Sequence, residues 1–362
     1  MTERIRLLMT LDAVGGVWRY AMDLAVALRP RGVDTVFLGF GPSPSDQQRA
    51  EAEAKGLLDW IDAPLDWLAE DAADLRAIPD LIAGAAQRHG ADLLHLNLPT
   101  QAAGLKTDRP VVVVSHSCVT TWFRAVRGSG LPPGWEWHGA LNAQGLSRAD
   151  AVVAPSRSHG AALTACYGQL PTLRVVPNST AAPLGKTLGK PMVVASGRWW
   201  DEGKNGATLD AAAEHTNLPI HLLGPTQGPN GTIFTARNAI AKGERPHAEA
   251  VALMSEAGIF VSPSIYEPFG LAVAEAARMG LPLVLSDIPT FRELWSEAAM
   301  FFPPRDAEAL AVMLDRLAAD PPERRRLGEA ARLRSRRFTP EAQATAMLSL
   351  YMDLVRQPLP TR

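Results

Sequence analysis

The sequence predicts an α/β protein built as two parallel-sheet domains, each carrying helices on both faces. Three observations predict it. Short apolar, β-branched runs alternate with longer amphipathic stretches, the pattern of buried strands and surface helices. The alternation stops at a segment rich in Pro, Gly, Ser and Thr, Pro177 to Lys190, and then starts again. The chain has 362 residues, which at roughly 150 per domain favours two domains over one.

Strands are expected at Ile5 to Met9, Thr35 to Gly39, Asp92 to Leu96, Val111 to Ser115, Ala151 to Ala154 and Leu173 to Val176. Helices are expected between them at Val17 to Leu28, Gln47 to Ala54, Asp80 to His89 and Ser158 to Tyr167. Parallel strands need crossovers of helical length, so strand–helix–strand order implies a parallel sheet covered on both faces. Beyond Lys190 the strands are Met192 to Ala195, Ile220 to Leu223, Ile259 to Ser262 and Leu283 to Ser286. Their helices are Asn205 to Glu214, His247 to Ala257, Gly270 to Met279 and Ala307 to Ala318. The tail from Pro321 to Arg356 reads as two helices broken near Phe338 to Pro340, where a proline opens the second. The expected domains are residues 1–180 and 181–339, with a final helix over 340–362.

Lys plus Arg number 36 against 38 Asp plus Glu, a formal charge of −2 that argues against a protein built mainly to hold nucleic acid. No apolar run approaches the roughly 18 residues of a membrane helix. Two cysteines, Cys118 and Cys166, make neither a disulfide framework nor a zinc site, so the expectation is a reduced, cytoplasmic protein.

In open parallel sheets, ligands sit beyond the carboxyl ends of the strands. The loops to inspect are therefore 12–16, 116–135, 197–205, 224–232 and 263–270. Several motifs fail there. Gly185-Lys186-Thr187 lacks the earlier glycine of a P-loop, no G-x-G-x-x-G is complete, and no Asp-x-Asp pair occurs. The informative segment is Ser262 to Glu275, SPSIYEPFGLAVAE. A strand ends, a proline loop carries Glu267, and Gly270 opens a helix whose first-turn N–H groups form an anion site. Glu267 and Glu275 either point toward one ligand or simply serve the helix dipole and the solvent.

The literal string goes further. Glu267-Pro268-Phe269-Gly270-Leu271, then Glu275-Ala276 and Gly280-Leu281-Pro282-Leu283-Val284, resembles the signature of retaining, nucleotide-sugar-dependent glycosyltransferases of group 1, family 4. The resemblance covers Met192 to Phe338 well and the first domain only at Gly15-Gly16 and around His116. Gly197-Arg198-Trp199-Trp200-Asp201-Glu202-Gly203-Lys204-Asn205 is similar to the family's Gly-Arg…Lys loop. Here Arg and Lys stand six residues apart where many members have five, and Asn205 stands where glycine is common.

The resemblance implies a GT-B fold, two Rossmann-like domains with a deep interdomain cleft, the last helix packing back on the first domain. It implies transfer of a sugar from a nucleotide-diphosphate sugar to an acceptor hydroxyl with retention, in glycan, glycolipid or small-glycoside synthesis. Arg198 and Lys204 would hold the donor diphosphate, Glu267 and His116 would lie by the donor sugar, and Glu275 would bind ribose hydroxyls. The amides of Phe269, Gly270 and Leu271 would contact sugar and phosphate, and Gly15 and Gly16 would let backbone approach the ligands. No metal or other cofactor is expected, and donor base, sugar and acceptor stay open. The alternatives are a nucleotide-sugar epimerase of the same fold, or a non-catalytic nucleotide-binding relative. Six of nine tryptophans (18, 122, 135, 137, 199, 200) fall in or beside the loops and offer an aromatic acceptor pocket or simply core. The arginines of 324–337 are the solvated face of a tail helix or a contact for an acidic membrane surface.

Overall fold

The structure is a computed structural model and describes residues 4–185 and 189–356. The end of the expected last helix, three residues of the expected linker and most of the Gly185-Lys186-Thr187 motif lie outside the described residues. The chain divides into two compact units, one running to Ser179 and resuming at Pro340, the other spanning Thr180–Thr339.

In the first unit the strands are β1 (Ile5–Asp12), β2 (Val33–Phe40), β3 (Leu57–Trp60), β4 (Leu93–Leu96), β5 (Val111–Val114), β6 (Ala151–Ala154) and β7 (Leu173–Val175). They form one sheet in the order β3-β2-β1-β4-β5-β6-β7, every described pair parallel. In the second unit β8 (Lys190–Ser196), β9 (Ile220–Leu223), β10 (Ile240–Gly243), β11 (Ala257–Ser262), β12 (Leu283–Ser286) and β13 (Ala299–Phe302) form a second parallel sheet in the order β10-β9-β8-β11-β12-β13. Both sheets reverse their strand order once, between β1 and β4 and between β8 and β11. These reversals are the switch points where loops from adjacent strands diverge and leave room for a ligand.

Inner strands such as β5 (VVVV) and β12 (LVLS) are buried along their whole length, as strands covered on both faces must be. The strands absent from the sequence reading, β3, β10 and β13, lie at sheet edges. Each is partly exposed and carries no long β-branched run. Two further corrections concern helices. The stretch 116–135, read as loop, contains the helix Val119–Val126, and Glu136–Arg148 is also helical. The first begins Val-Thr-Thr, poor helix formers, and is capped by the unusual Cys118 side chain, whose sulfur accepts from the Thr121 N–H.

The helix Pro340–Arg356 belongs to the first unit. Its Ala344, Met347 and Tyr351 are fully buried in one core with Tyr20, Ala21 and Leu24 of the helix Gly16–Leu28.

Candidate active site

The second unit brings the Arg…Lys loop and the Glu267 loop together because β8 and β11 are parallel neighbours ending at Ser196 and Ser262. The two loops are also sewn by backbone: Ile265 N–H donates to the Gly203 carbonyl at 2.9 Å. Across this seam the Lys204 ammonium donates to Glu267 Oε2 at 2.6 Å, both side chains mostly buried. Arg198 lies on the same loop, its guanidinium 5.5 Å from the centre of the Trp200 ring and 3.5 Å from an Asp201 carboxylate oxygen.

Asn205, the departure from the family pattern, takes over the backbone duty of a glycine. Its φ is +56°, a left-handed conformation that asparagine tolerates better than most residues. Its side-chain amide donates to the Pro263 carbonyl at 2.9 Å and to that of Pro304 at 2.5 Å, and its oxygen accepts from Thr208. The substitution thus keeps the turn and ties the Lys204 loop to the end of β11.

Gly270, with φ +88°, closes the Glu267 loop and caps the helix Leu271–Arg278. A side chain there would be strained by the backbone and would meet Val273, Phe291 and Glu267 within about 3.4 Å. The first-turn N–H groups from Leu271 onward have no intrahelical partner, so this end of the helix offers donors and positive potential. Phe269 is buried edge-on against Phe338 and anchors the loop from below. One turn into the helix, buried Glu275 accepts from His247 Nε2 at 2.8 Å. His247 had no motif to mark it; only the contact reveals it.

The first unit holds the remaining residues. Gly15 (φ +104°, ψ −144°) and Gly16 start the helix Gly16–Leu28 directly after β1, and both are exposed. Gly15 occupies backbone space closed to other residues. His116 follows β5, its Nε2 2.8 Å from Asn97 Oδ1 and its ring edge-on to Tyr20 at 4.4 Å. Burial, with His95 and His159 nearby, pushes its pKa down to about 3, so it is neutral at physiological pH. Cys118 contacts Tyr167 and Thr121 and is not joined to His116.

The tryptophans separate. Trp18 and Trp199 are core residues, their indole N–H groups donating to Glu51 and to the Leu223 carbonyl, which removes them from an acceptor pocket. Trp135 is exposed and Trp137 stacks on His138 at 3.6 Å. In the arginine-rich helix Pro321–Ser335, Arg334 donates to the Leu294 carbonyl and Arg326 pairs with Glu323, a structural use of charge.

Family comparison decides what this constellation belongs to. A family model described as Glycosyltransferase Family 4 matches residues 14–180, and one described as Glycosyl transferases group 1 matches residues 235–334. The chain belongs to the group 1 glycosyltransferases. A glycogen synthase of Mycobacterium tuberculosis is 37% identical over 161 residues, 43% of this chain and 38% of that protein's own length. The match therefore spans well under half of that relative. Among solved structures, sucrose-phosphate synthase from Thermosynechococcus elongatus superposes with a TM-score of 0.80 at 21% identity, covering 97% of this chain and 99% of the other. Anabaena HepE in complex with UDP-glucose gives 0.76 at 16% identity, covering 97% and 100%. At such identities the likeness shows the fold, which is GT-B: two parallel-sheet α/β domains.

In this member of the family the two matches contain Gly15, Gly16, His116, Glu267, Phe269 to Leu271 and Glu275, whereas Arg198 and Lys204 fall between them. The case for those two cations rests on geometry. An ammonium has three donors and Glu267 takes one, which leaves Lys204 donors for a second anion while its position is held. A guanidinium adds a planar fork suited to phosphate oxygens. Among the described residues, no helix is long and apolar enough to cross a membrane.

Proposed function

We propose that the protein is a retaining, metal-independent glycosyltransferase that moves a sugar from a nucleotide-diphosphate sugar to an acceptor hydroxyl. The observation that carries this reading is the Lys204–Glu267 contact at the β8/β11 switch point, beside Arg198 and the helix N-terminus at Gly270. A cation meets a carboxylate next to a helix N-terminus, with a second cation on the same loop as the first, as a substrate with an anionic diphosphate and an incipiently cationic sugar requires. The UDP-glucose complex of the fold neighbour HepE supports a nucleotide sugar as donor.

In this reading Arg198, Lys204 and the amides from Phe269 to Leu271 hold the diphosphate and stabilise the charge it gains as it departs. Glu267 faces the sugar and stabilises positive charge at its ring. Glu275, held by His247, accepts from ribose hydroxyls. Within the first unit, His116, Gly15 and Gly16 are the residues that meet a substrate. The leaving phosphate takes the acceptor proton in a front-side attack, so no enzymic nucleophile is needed. The protein acts in the cytoplasm, where nucleotide sugars are available.

A thermal-shift screen with UDP, GDP, ADP and their sugars tests the reading, since a ligand bound to the native state raises its apparent stability. Stabilisation by one nucleotide series, followed by slow hydrolysis of its sugar when no acceptor is present, is the expected result. Formation of an epimer of the sugar, or binding without any turnover, would overturn it.

A further inference from the structure

The switch point of the first sheet contains a buried polar chain that ends on His116. Asn97 follows β4 and is almost wholly buried. Its Nδ2 donates to the Thr10 carbonyl of β1 at 2.5 Å, and its backbone N–H donates to Thr10 Oγ1 at 2.8 Å. A backbone carbonyl can only accept, so the amide orientation is determined and Oδ1 faces the other way. There it lies 2.8 Å from His116 Nε2 and 3.2 Å from His95 Nε2.

A carbonyl oxygen has no proton to give, so both imidazoles must present N–H at Nε2. In a neutral ring the lone pair then resides on Nδ1. For His95 that nitrogen is 2.6 Å from the Tyr351 hydroxyl, which donates to it from the helix Pro340–Arg356. Both rings are held neutral, His95 near pKa 4 and His116 near 3, chiefly by burial. His116 Nδ1 is left with the lone pair and the role of acceptor.

We propose that Asn97 is a positioning residue: it locks His116 in the Nε2–H tautomer, so that the ring offers Nδ1 as acceptor to a substrate hydroxyl. The assignment of a substrate to His116 rests on the glycosyltransferase reading; the tautomer lock does not. Thr10 orients Asn97, Tyr20 packs against the His116 ring, and the Tyr351–His95 pair occupies the second half of the Asn97 oxygen. An asparagine is suited to the post because it donates on one side and accepts on the other without adding charge.

The experiment is long-range ¹H–¹⁵N correlation of the histidine rings in uniformly ¹⁵N-labelled full-length protein, with His116 assigned from the spectrum of His116→Gln. Wild type should show a pure Nε2–H pattern for His116, with Nδ1 at a pyridine-type shift. Asn97→Ala should move both ring nitrogens toward the mixed tautomers of a free imidazole. A wild-type ring protonated at Nδ1, or an Asn97→Ala spectrum unchanged from wild type, overturns the proposal. Should Asn97→Ala fail to fold, the wild-type pattern alone decides. None of these spectra needs a substrate. If the nucleotide-sugar screen found no ligand, the functional reading would fall and the tautomer lock would be judged separately.

Discussion

Lys204 Nζ lies 2.6 Å from Glu267 Oε2, although 63 residues separate them in the chain. The pairing follows from strand order: the loops after β8 and β11 are neighbours because those strands are. In the proposed cycle the same ammonium is shared between a fixed carboxylate and an arriving diphosphate. Glu267 therefore has two tasks, holding Lys204 and facing the sugar.

Glu267→Gln is expected to reduce kcat by about a hundred- to a thousandfold, the scale of removing one preorganised electrostatic partner. Nucleoside diphosphate affinity should stay within a few-fold, because the amide still accepts from Lys204. A group acting mainly on the transition state lowers kcat more than it raises KM. Steady-state kinetics with the donor identified by thermal shift check this, and a wild-type kcat would remove Glu267 from the mechanism.

Arg198→Ala and Lys204→Ala should each cost activity on a similar order, since each withdraws positive charge from the leaving group. EDTA should leave the wild-type rate unchanged. Loss of turnover in EDTA, with recovery in Mg²⁺ or Mn²⁺, would show that these cations are not sufficient for the leaving diphosphate.

Asn205 separates backbone from side-chain effects. Asn205→Gly keeps the left-handed turn and loses the hydrogen bonds to Pro263 and Pro304. Asn205→Ala loses the same bonds and adds the cost of placing a Cβ at positive φ. Alanine should therefore be less stable than glycine by about 1 kcal/mol. Denaturant melts of the two variants measure the gap; equal midpoints would mean that the turn relaxes.

The first unit should be acid-sensitive above the range of its carboxylates. Burial lowers His95 and His159 to about 4, so both are neutral when folded. In the unfolded chain they take up protons below about pH 6.5. Their contribution is thus present at neutral pH and is lost as pH falls from about 6.5 toward 4, by about 1.4 kcal/mol per pH unit for each. Buried Asp66, raised to about 6 by burial, works in the opposite direction over part of that window. Urea melts at pH 7 and pH 5, followed by tryptophan fluorescence, should show a lower midpoint at pH 5. A midpoint independent of pH would mean that these rings stay hydrated.

Much of the fold was legible in the sequence because strands buried on both faces must be continuous apolar runs. Val111–Val114, Ala151–Ala154, Ile220–Leu223 and Leu283–Ser286 announce themselves in that way. Edge strands such as Leu57–Trp60 and Ala299–Phe302 are half-covered, so their composition does not distinguish them from loop. The residues of the candidate site were legible for a different reason: Glu267, Gly270 and Glu275 share one local loop-and-helix segment, whose spacing is set by the chain itself. Only tertiary structure could bring Lys204 to Glu267, His247 to Glu275, or Tyr351 through His95 and Asn97 to His116. Those contacts depend on which strands lie side by side and on where the last helix docks. Buried polar groups then select the partners, because each must find one within hydrogen-bonding reach, whatever its distance along the chain.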